Sequence, residues 1–346
     1  MMPDCGRRRL ELAVICGAIL CVGAIPEPGR AQGIQIRVVD SATTAALSGA
    51  LVALVDERGA VTVEGLTSGD GYRTFFVPAG RYRVRVRRVG FRPYVSEPLE
   101  LASARAITVA VQSQPVVLST IVISARSSCR SLGSRTSQAL ATVWGEATKA
   151  LEASQLTLSD LQGIGRVWTY VKTVGGSSTS ARTDTAYFTV RDARPFGAVN
   201  PDTLASEGYV VGDATTGWSY FGPDETVLLS SSFARTHCFR LVREGAAPGM
   251  IGVAFEPVRG RTMPDIAGVV WLDERTSELR RIVFRYVNAG LISRYGGGGE
   301  TNFRRLPSGA WLISAWHLRA PNLTMQGGTI RSIGFQENGG GVLQPH

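Results

Sequence analysis

Lysine is almost missing from this chain of 346 residues: Lys149 and Lys172 are the only two, and every other member of the 37 basic residues is arginine. The formal charge of +9 is therefore carried by guanidinium groups scattered along the chain. No basic block gathers them, so a solvated arginine surface is the plainer reading and nucleic acid is not expected as a partner. Aromatic residues are few at 8%, and 40 glycines point to a turn-rich chain. Beyond residue 31 no apolar run reaches the ~18–20 residues of a membrane helix, which excludes a multi-span membrane protein. A hydrophobic content of 44% against 19% charge excludes a disordered chain and suffices for packed cores.

What is present begins with an address. Arg7, Arg8 and Arg9 precede an apolar run from Leu10 to Ile25, broken only by Glu11, and Gly29 and Ala31 are small residues placed for a cut before Gln32. Residues 1–31 read as a secretory signal peptide, with an uncleaved N-terminal anchor as the alternative. Cys5, Cys16 and Cys21 leave with it. The exported chain keeps Cys129 and Cys238, and one pair in an oxidising compartment most simply means one disulfide. The expected location is periplasmic or outer-envelope associated, of bacterial type.

Residues 32–113 read as short strands between turn signals. In Arg81 to Arg87, Tyr82, Val84 and Val86 alternate with arginines, as a half-buried strand requires, so Arg83 and Arg85 are expected outside and Val52, Leu54, Phe75, Tyr82, Val84 and Val86 inside. Ala50 to Val55 is a compact apolar strand. About seven strands without a helical period predict an antiparallel β-sandwich. The order of Gly49-Ala50 with Val52, Asp70-Gly71 before Tyr72 and Phe75, the block Pro78, Gly80, Tyr82 and Val84, and Gly90-Phe91 with Pro93 resembles the carboxypeptidase regulatory-like domain, a transthyretin-like sandwich. The first turn, Ala45-Ala46-Leu47, departs from that pattern. The resemblance implies an accessory module whose fold is similar to starch-binding modules, and fold alone confers no function. Val116 to Ile123 looks like the strand that leads into the plug of an outer-membrane receptor, but too few residues follow for a 22-strand barrel.

Residues 114–135 read as a polar linker. Beyond it Leu140, Val143, Trp144, Ala147 and Leu151 share one face of a helix over Thr136 to Ala153. Strand-like runs then recur from Arg166 to Phe335, joined by hairpin-length turns, with a short helix over Asp224 to Ala234 capped by Asp224. Residues 136–346 are therefore expected to form an α+β domain, a long helix packed on an antiparallel meander, and the whole chain is mainly β. The strand rhythm of the meander resembles the half-barrel of periplasmic lipoprotein carriers.

Chemistry is harder to find. A zinc carboxypeptidase needs a His and a Glu three apart plus a distant His, and His237, His317 and His346 have no such partner. No serine sits in a G-x-S-x-G elbow. Asp273 and Glu274 lie in a turn, and Gly296 to Gly299 lacks the Lys and Ser/Thr of a phosphate loop and reads as a hairpin tip. Asn322-Leu323-Thr324 matches a glycosylation sequon. No catalytic residue, metal ligand or cofactor is assigned. Trp218, Tyr220 and Phe221 are the candidate ligand-binding residues, since aromatics on a turn-rich stretch can stack on a ligand; the plainer alternative is that they close one end of the core. Trp271, Trp311 and Trp316 read as core. The expected function is a non-catalytic envelope module that binds an envelope protein or a polysaccharide, with carbohydrate binding through the sandwich fold. The alternatives are a hydrolase of envelope polymers with unidentified residues, and a carrier of an apolar ligand.

Overall fold

The arginine strand shows how the first part of the chain is built. In a computed structural model that describes residues 32–114, 134–160, 165–175, 182–190, 199–213, 215–243, 249–327 and 329–343, Val84 and Val86 point into a core and Arg83 points to solvent. The signal segment, Cys129 and the Val116 to Ile123 run lie outside the described residues. Eight strands make up this part: β1 (Gln32–Asp40), β2 (Leu51–Val55), β3 (Val61–Leu66), β4 (Tyr72–Val77), β5 (Gly80–Arg87), β6 (Tyr94–Val95), β7 (Leu99–Leu101) and β8 (Arg105–Val111). They form two sheets, β4-β1-β8 and β3-β2-β5-β6, with β7 beside β5. Val52, Leu54 and Phe75 join Val84 and Val86 between the sheets.

Three expectations need correction here. β1 and β8 run parallel, so the sandwich is not wholly antiparallel. Tyr82 is half-buried, because its hydroxyl reaches out to donate to the Pro78 carbonyl at 3.1 Å. Arg85 is half-buried too, because the outer face of its sheet is not fully wet. All five residues of β2 are buried, and Leu51 and Leu66 on its outer side belong to the core of the following helix. An unbroken apolar strand is what burial on both faces selects.

That helix, α1 (Ser134–Asp160), is longer than its apolar spacing indicates. Val143, Ala147 and Leu151 are buried as the spacing requires, and Trp144 is tilted against Phe239 with 5.1 Å between ring centroids. The opposite side of α1 meets the sandwich. Arg87 pairs with Glu152 at 2.6 Å, and the buried Glu146 and Lys149, 2.7 Å apart, clasp the turn after β5. Glu146 accepts the Gly90 N–H at 2.8 Å, and the Lys149 ammonium donates to the Phe91 carbonyl at 2.8 Å.

The remaining elements follow in order. After β9 (Gly165–Gly175) and β10 (Arg182–Val190) come α2 (Pro201–Glu207) and the hairpin of β11 (Val210–Asp213) and β12 (Gly217–Tyr220). Next stand α3 (Glu225–Leu228) and α4 (Ser231–Thr236), where one helix is expected over Asp224 to Ala234. Asp224 does cap α3, accepting the Val227 N–H, but Ser230 accepts the Phe233 N–H and starts a second helix. β13 (His237–Arg243), β14 (Met250–Pro257), β15 (Asp265–Asp273), β16 (Leu279–Val287), α5 (Leu291–Arg294), β17 (Gly298–Arg305), β18 (Trp311–Gln326) and β19 (Thr329–Leu343) complete the chain. The sheet order is β10-β9-β19-β18-β17-β16-β15-β14-β13, antiparallel throughout, so a nine-stranded meander ends by pairing its last strand with β9. Gly297 to Gly299 is not an open tip. These glycines are buried, and a Cβ on Gly299 would stand 2.5 Å from the His317 carbonyl oxygen and 2.8 Å from the Phe284 ring.

Candidate functional site

The site begins with a phase slip in β18. Trp311 and Ile313 face α1, and strict alternation would send Trp316 to the other side of the sheet. Between Asn302↔Ala315 and Phe303↔Ile313 the pairing with β17 shifts by one residue, leaving Ser314 as the extra residue of a β-bulge. Trp316, Leu318 and Ala320 thereby join the face that carries α1, opposite Gly340, Asn338 and Gln336 of β19. Gly340 is required there, since its Cβ would lie 2.3 Å from the Trp168 carbonyl oxygen and 3.2 Å from the Trp316 indole nitrogen. Trp316, expected in the core, is half-buried and lines a cleft; Trp271 is half-buried and Trp311 fully enclosed.

The β11–β12 hairpin forms the opposite wall. Asp213 accepts the N–H groups of Thr215 and Thr216 at 2.7 and 2.8 Å, an Asx-type turn that sets the register Val210↔Tyr220 and Gly212↔Trp218. Trp218 and Tyr220 alternate with the exposed Ser219 and face the sheet, where Tyr220 stands 5.8 Å from the Tyr286 ring. Burial pushes the Tyr220 hydroxyl above its ordinary pKa. A cleft of about 490 Å³ lies between hairpin and sheet, lined by Trp218, Tyr220, Trp316, Asn322, Gln336 and Asn338, with Leu318 and Leu323. Two indoles and a phenol thus share one space with three carboxamides, each of which can both donate and accept. Among the described residues, the lining contains no carboxylate, histidine, lysine or arginine.

Of the three aromatics singled out in the sequence, Trp218 and Tyr220 line this cleft and Phe221 does not. Phe221 is used through its backbone: its N–H donates to Tyr209 and its carbonyl accepts the Tyr286 hydroxyl at 3.0 Å. The sequence offered two signals for the residues it missed. Apolar positions switch from odd to even between Ile313 and Trp316, the mark of the bulge, and Asn322 stands in the sequon. Gln336 and Asn338 carry no signal without the strand register.

His237 Nε2 lies 3.2 Å from the Asp265 carboxylate, both residues buried. Asp265 is also paired with Arg261, whose guanidinium donates to the Ala205 carbonyl at 2.8 Å. His237 stacks on Phe233 with centroids 3.9 Å apart. This network ties α2, α4 and β15 together inside the core. Among the described residues no group of three or more His, Cys, Asp or Glu could hold a metal ion. Cys238, on β13, is disulfide-bonded.

Residues 33–136 match the carboxypeptidase regulatory-like domain. The regulatory-like domain thus covers a minority of the chain, and the aromatic cleft lies outside it. No curated protein matches the sequence. Among solved structures, the pilus 2b backbone protein of group B streptococcus is similar at 19% identity and a TM-score of 0.21, over 24% of this chain and 41% of that one. A DUF3823 family protein from Parabacteroides merdae is similar at 10% identity and a TM-score of 0.22, over 75% of this chain and 97% of that one. A LolA superfamily protein from Nitrosomonas europaea is similar at 8% identity and a TM-score of 0.24, over 56% and 91%. Likenesses at these scores have no bearing on the cleft. No helix among the described residues is long and apolar enough to cross a membrane.

Proposed function

We propose that this chain is an exported, non-catalytic binding module of the cell envelope whose cleft takes a neutral saccharide. The observation that supports the reading is the lining itself: two indoles and a phenol beside three carboxamides, with no ionised side chain among the described residues. A pyranose presents an apolar C–H face that packs on an aromatic ring and hydroxyls at its edge that suit amide groups. A cleft of about 490 Å³ falls within the range of small-molecule sites. Glycoside hydrolysis calls for a pair of carboxyl groups about the scissile bond, which this lining does not contain. The carbohydrate reading therefore moves from the sandwich to the meander.

The test is calorimetric titration with oligosaccharides of glucose, galactose, mannose and N-acetylglucosamine. The wild-type chain should bind at least one. Trp218→Ala and Trp316→Ala should each weaken binding tenfold or more, the loss of a ~1.4 kcal/mol anchor, with far-UV circular dichroism unchanged. Equal binding by both variants, or none by the wild type, would sink the proposal.

Export rests on the positive, apolar and small-residue segments from Arg7 to Ala31. We further propose that Cys129 is the partner of Cys238. The intact mass of protein recovered from the periplasm should match a chain beginning at Gln32 and lighter by two hydrogens than its reduced form. A retained residue 1–31 segment, or free-thiol labelling of the native protein, would refute the respective claim.

A further inference from the structure

Trp218 has a cavity on either side. Beyond the saccharide cleft, a second space of about 270 Å³ is lined by Val210 of β11, Leu291 and Ile292 of α5, Ile330 of β19, and Trp218 and Leu323. Trp218 and Leu323 line both spaces, so the two adjoin at one indole. Their chemistry differs. The first is rich in carboxamides; the second, among its described residues, has one carboxamide, Asn288, whose amide nitrogen already donates to the Arg261 carbonyl at 2.9 Å, and otherwise aliphatic groups beside the Trp218 indole. Water in such a space finds few partners, and apolar-lined cavities of even ~150 Å³ stay dry and take up apolar guests.

We infer that the second space is an aglycone subsite: the ligand is an amphiphile, a neutral saccharide carrying one aliphatic chain, with the sugar in the carboxamide cleft and the chain passing Trp218 into the aliphatic one. This rests on the saccharide reading of the first cleft and adds the class of molecule that cleft selects. The shared Trp218 and Leu323 set the attachment, since a chain leaving the sugar at its stacked edge needs only to pass that indole to reach the second space. Leu291 and Ile292 stand on a helix capped by Gly290, whose positive φ of 56° sets the turn that brings all three residues to the lining of this space.

The experiment is titration of the full exported chain with methyl, butyl and hexyl glycosides of the four sugars above, below their micellar concentrations. In the wild type, affinity should rise about fourfold for each methylene added. Ala289→Phe, whose side chain lines only the second space, should abolish that gain while methyl-glycoside affinity stays within twofold. Trp316→Ala, which touches only the first, should weaken every member equally and preserve the gain. Ile330→Gln supplies the same readout should Ala289→Phe not fold. Methyl glycosides that bind without any chain-length gain, or a gain that survives both second-space variants, would overturn the aglycone subsite and leave the saccharide reading standing. Absence of binding by every glycoside in the series would overturn both.

Discussion

Replacing Lys149 with methionine should lower the stability of the folded chain by about 3–5 kcal/mol, the usual cost of removing one partner of a buried ion pair. The Lys149 side chain is 8% exposed and that of Glu146 7%, so solvent offers neither a substitute. Lys149 holds the Phe91 carbonyl at 2.8 Å and Glu146 at 2.7 Å. Methionine keeps the aliphatic stem and its packing but leaves a carboxylate inside with one remaining partner, the Gly90 N–H. The desolvation cost then falls on a single charge. Glu146→Leu with Lys149→Met removes both charges, and the double variant should recover most of the loss, because apolar pairs of similar volume are often neutral or stabilising replacements. Guanidinium unfolding of the two single variants, the double variant and the wild type closes the cycle. A Lys149→Met loss below ~1 kcal/mol would mean that water reaches the pair and the seam between α1 and the sandwich is open.

A second seam should respond almost as strongly to one methyl group. The β17–β18 turn meets the sandwich loop at two glycines: a Cβ on Gly309 would lie 2.4 Å from the Ser48 carbonyl carbon, and one on Gly49 would lie 2.1 Å from the Gly309 carbonyl oxygen. Both have positive φ, 65° at Gly49 and 84° at Gly309. Gly309→Ala therefore adds left-handed backbone strain to a backbone overlap, together about 2–4 kcal/mol. Neither residue can retreat without opening the junction, since Gly49 donates to the Thr67 carbonyl and Gly309 to Leu306. Ser308→Ala, one residue away, should stay within ~0.5 kcal/mol. If Gly309→Ala matched it, the two loops would have room to part in solution.

These seams mark where the sequence stops being readable. Period-two alternation identifies Val84 and Val86 as core because that signal is local. The same logic counts the face of Arg85 and Arg87 as wet, since nothing near them in sequence announces that α1, some fifty residues on, covers it. Glu146 and Lys149 at i and i+3 look like any solvated helix pair. Their burial follows only from tertiary packing. Gly296 to Gly299 looks like a loop because glycine lacks a side chain to signal burial, and the reason for it is the Phe284 ring that lies against Gly299. The cleft is half legible: Trp218 and Tyr220 stand out as clustered aromatics, whereas Gln336 and Asn338 reach it through a register fixed by a bulge on a neighbouring strand.

The burial of Lys149 has a practical side. Lys172, the other lysine, is partly exposed on β9, and its cross-strand partner Glu337 lies on the face of β19 opposite to Gln336 and Asn338. An amine-coupling surface thus finds one accessible lysine side chain, and it is on the side away from the cleft. Once the α-amino group is blocked, molecules tethered through Lys172 stand with Trp218 and Trp316 facing the solution, so an immobilised array of this protein presents its aromatic cleft without an engineered tag.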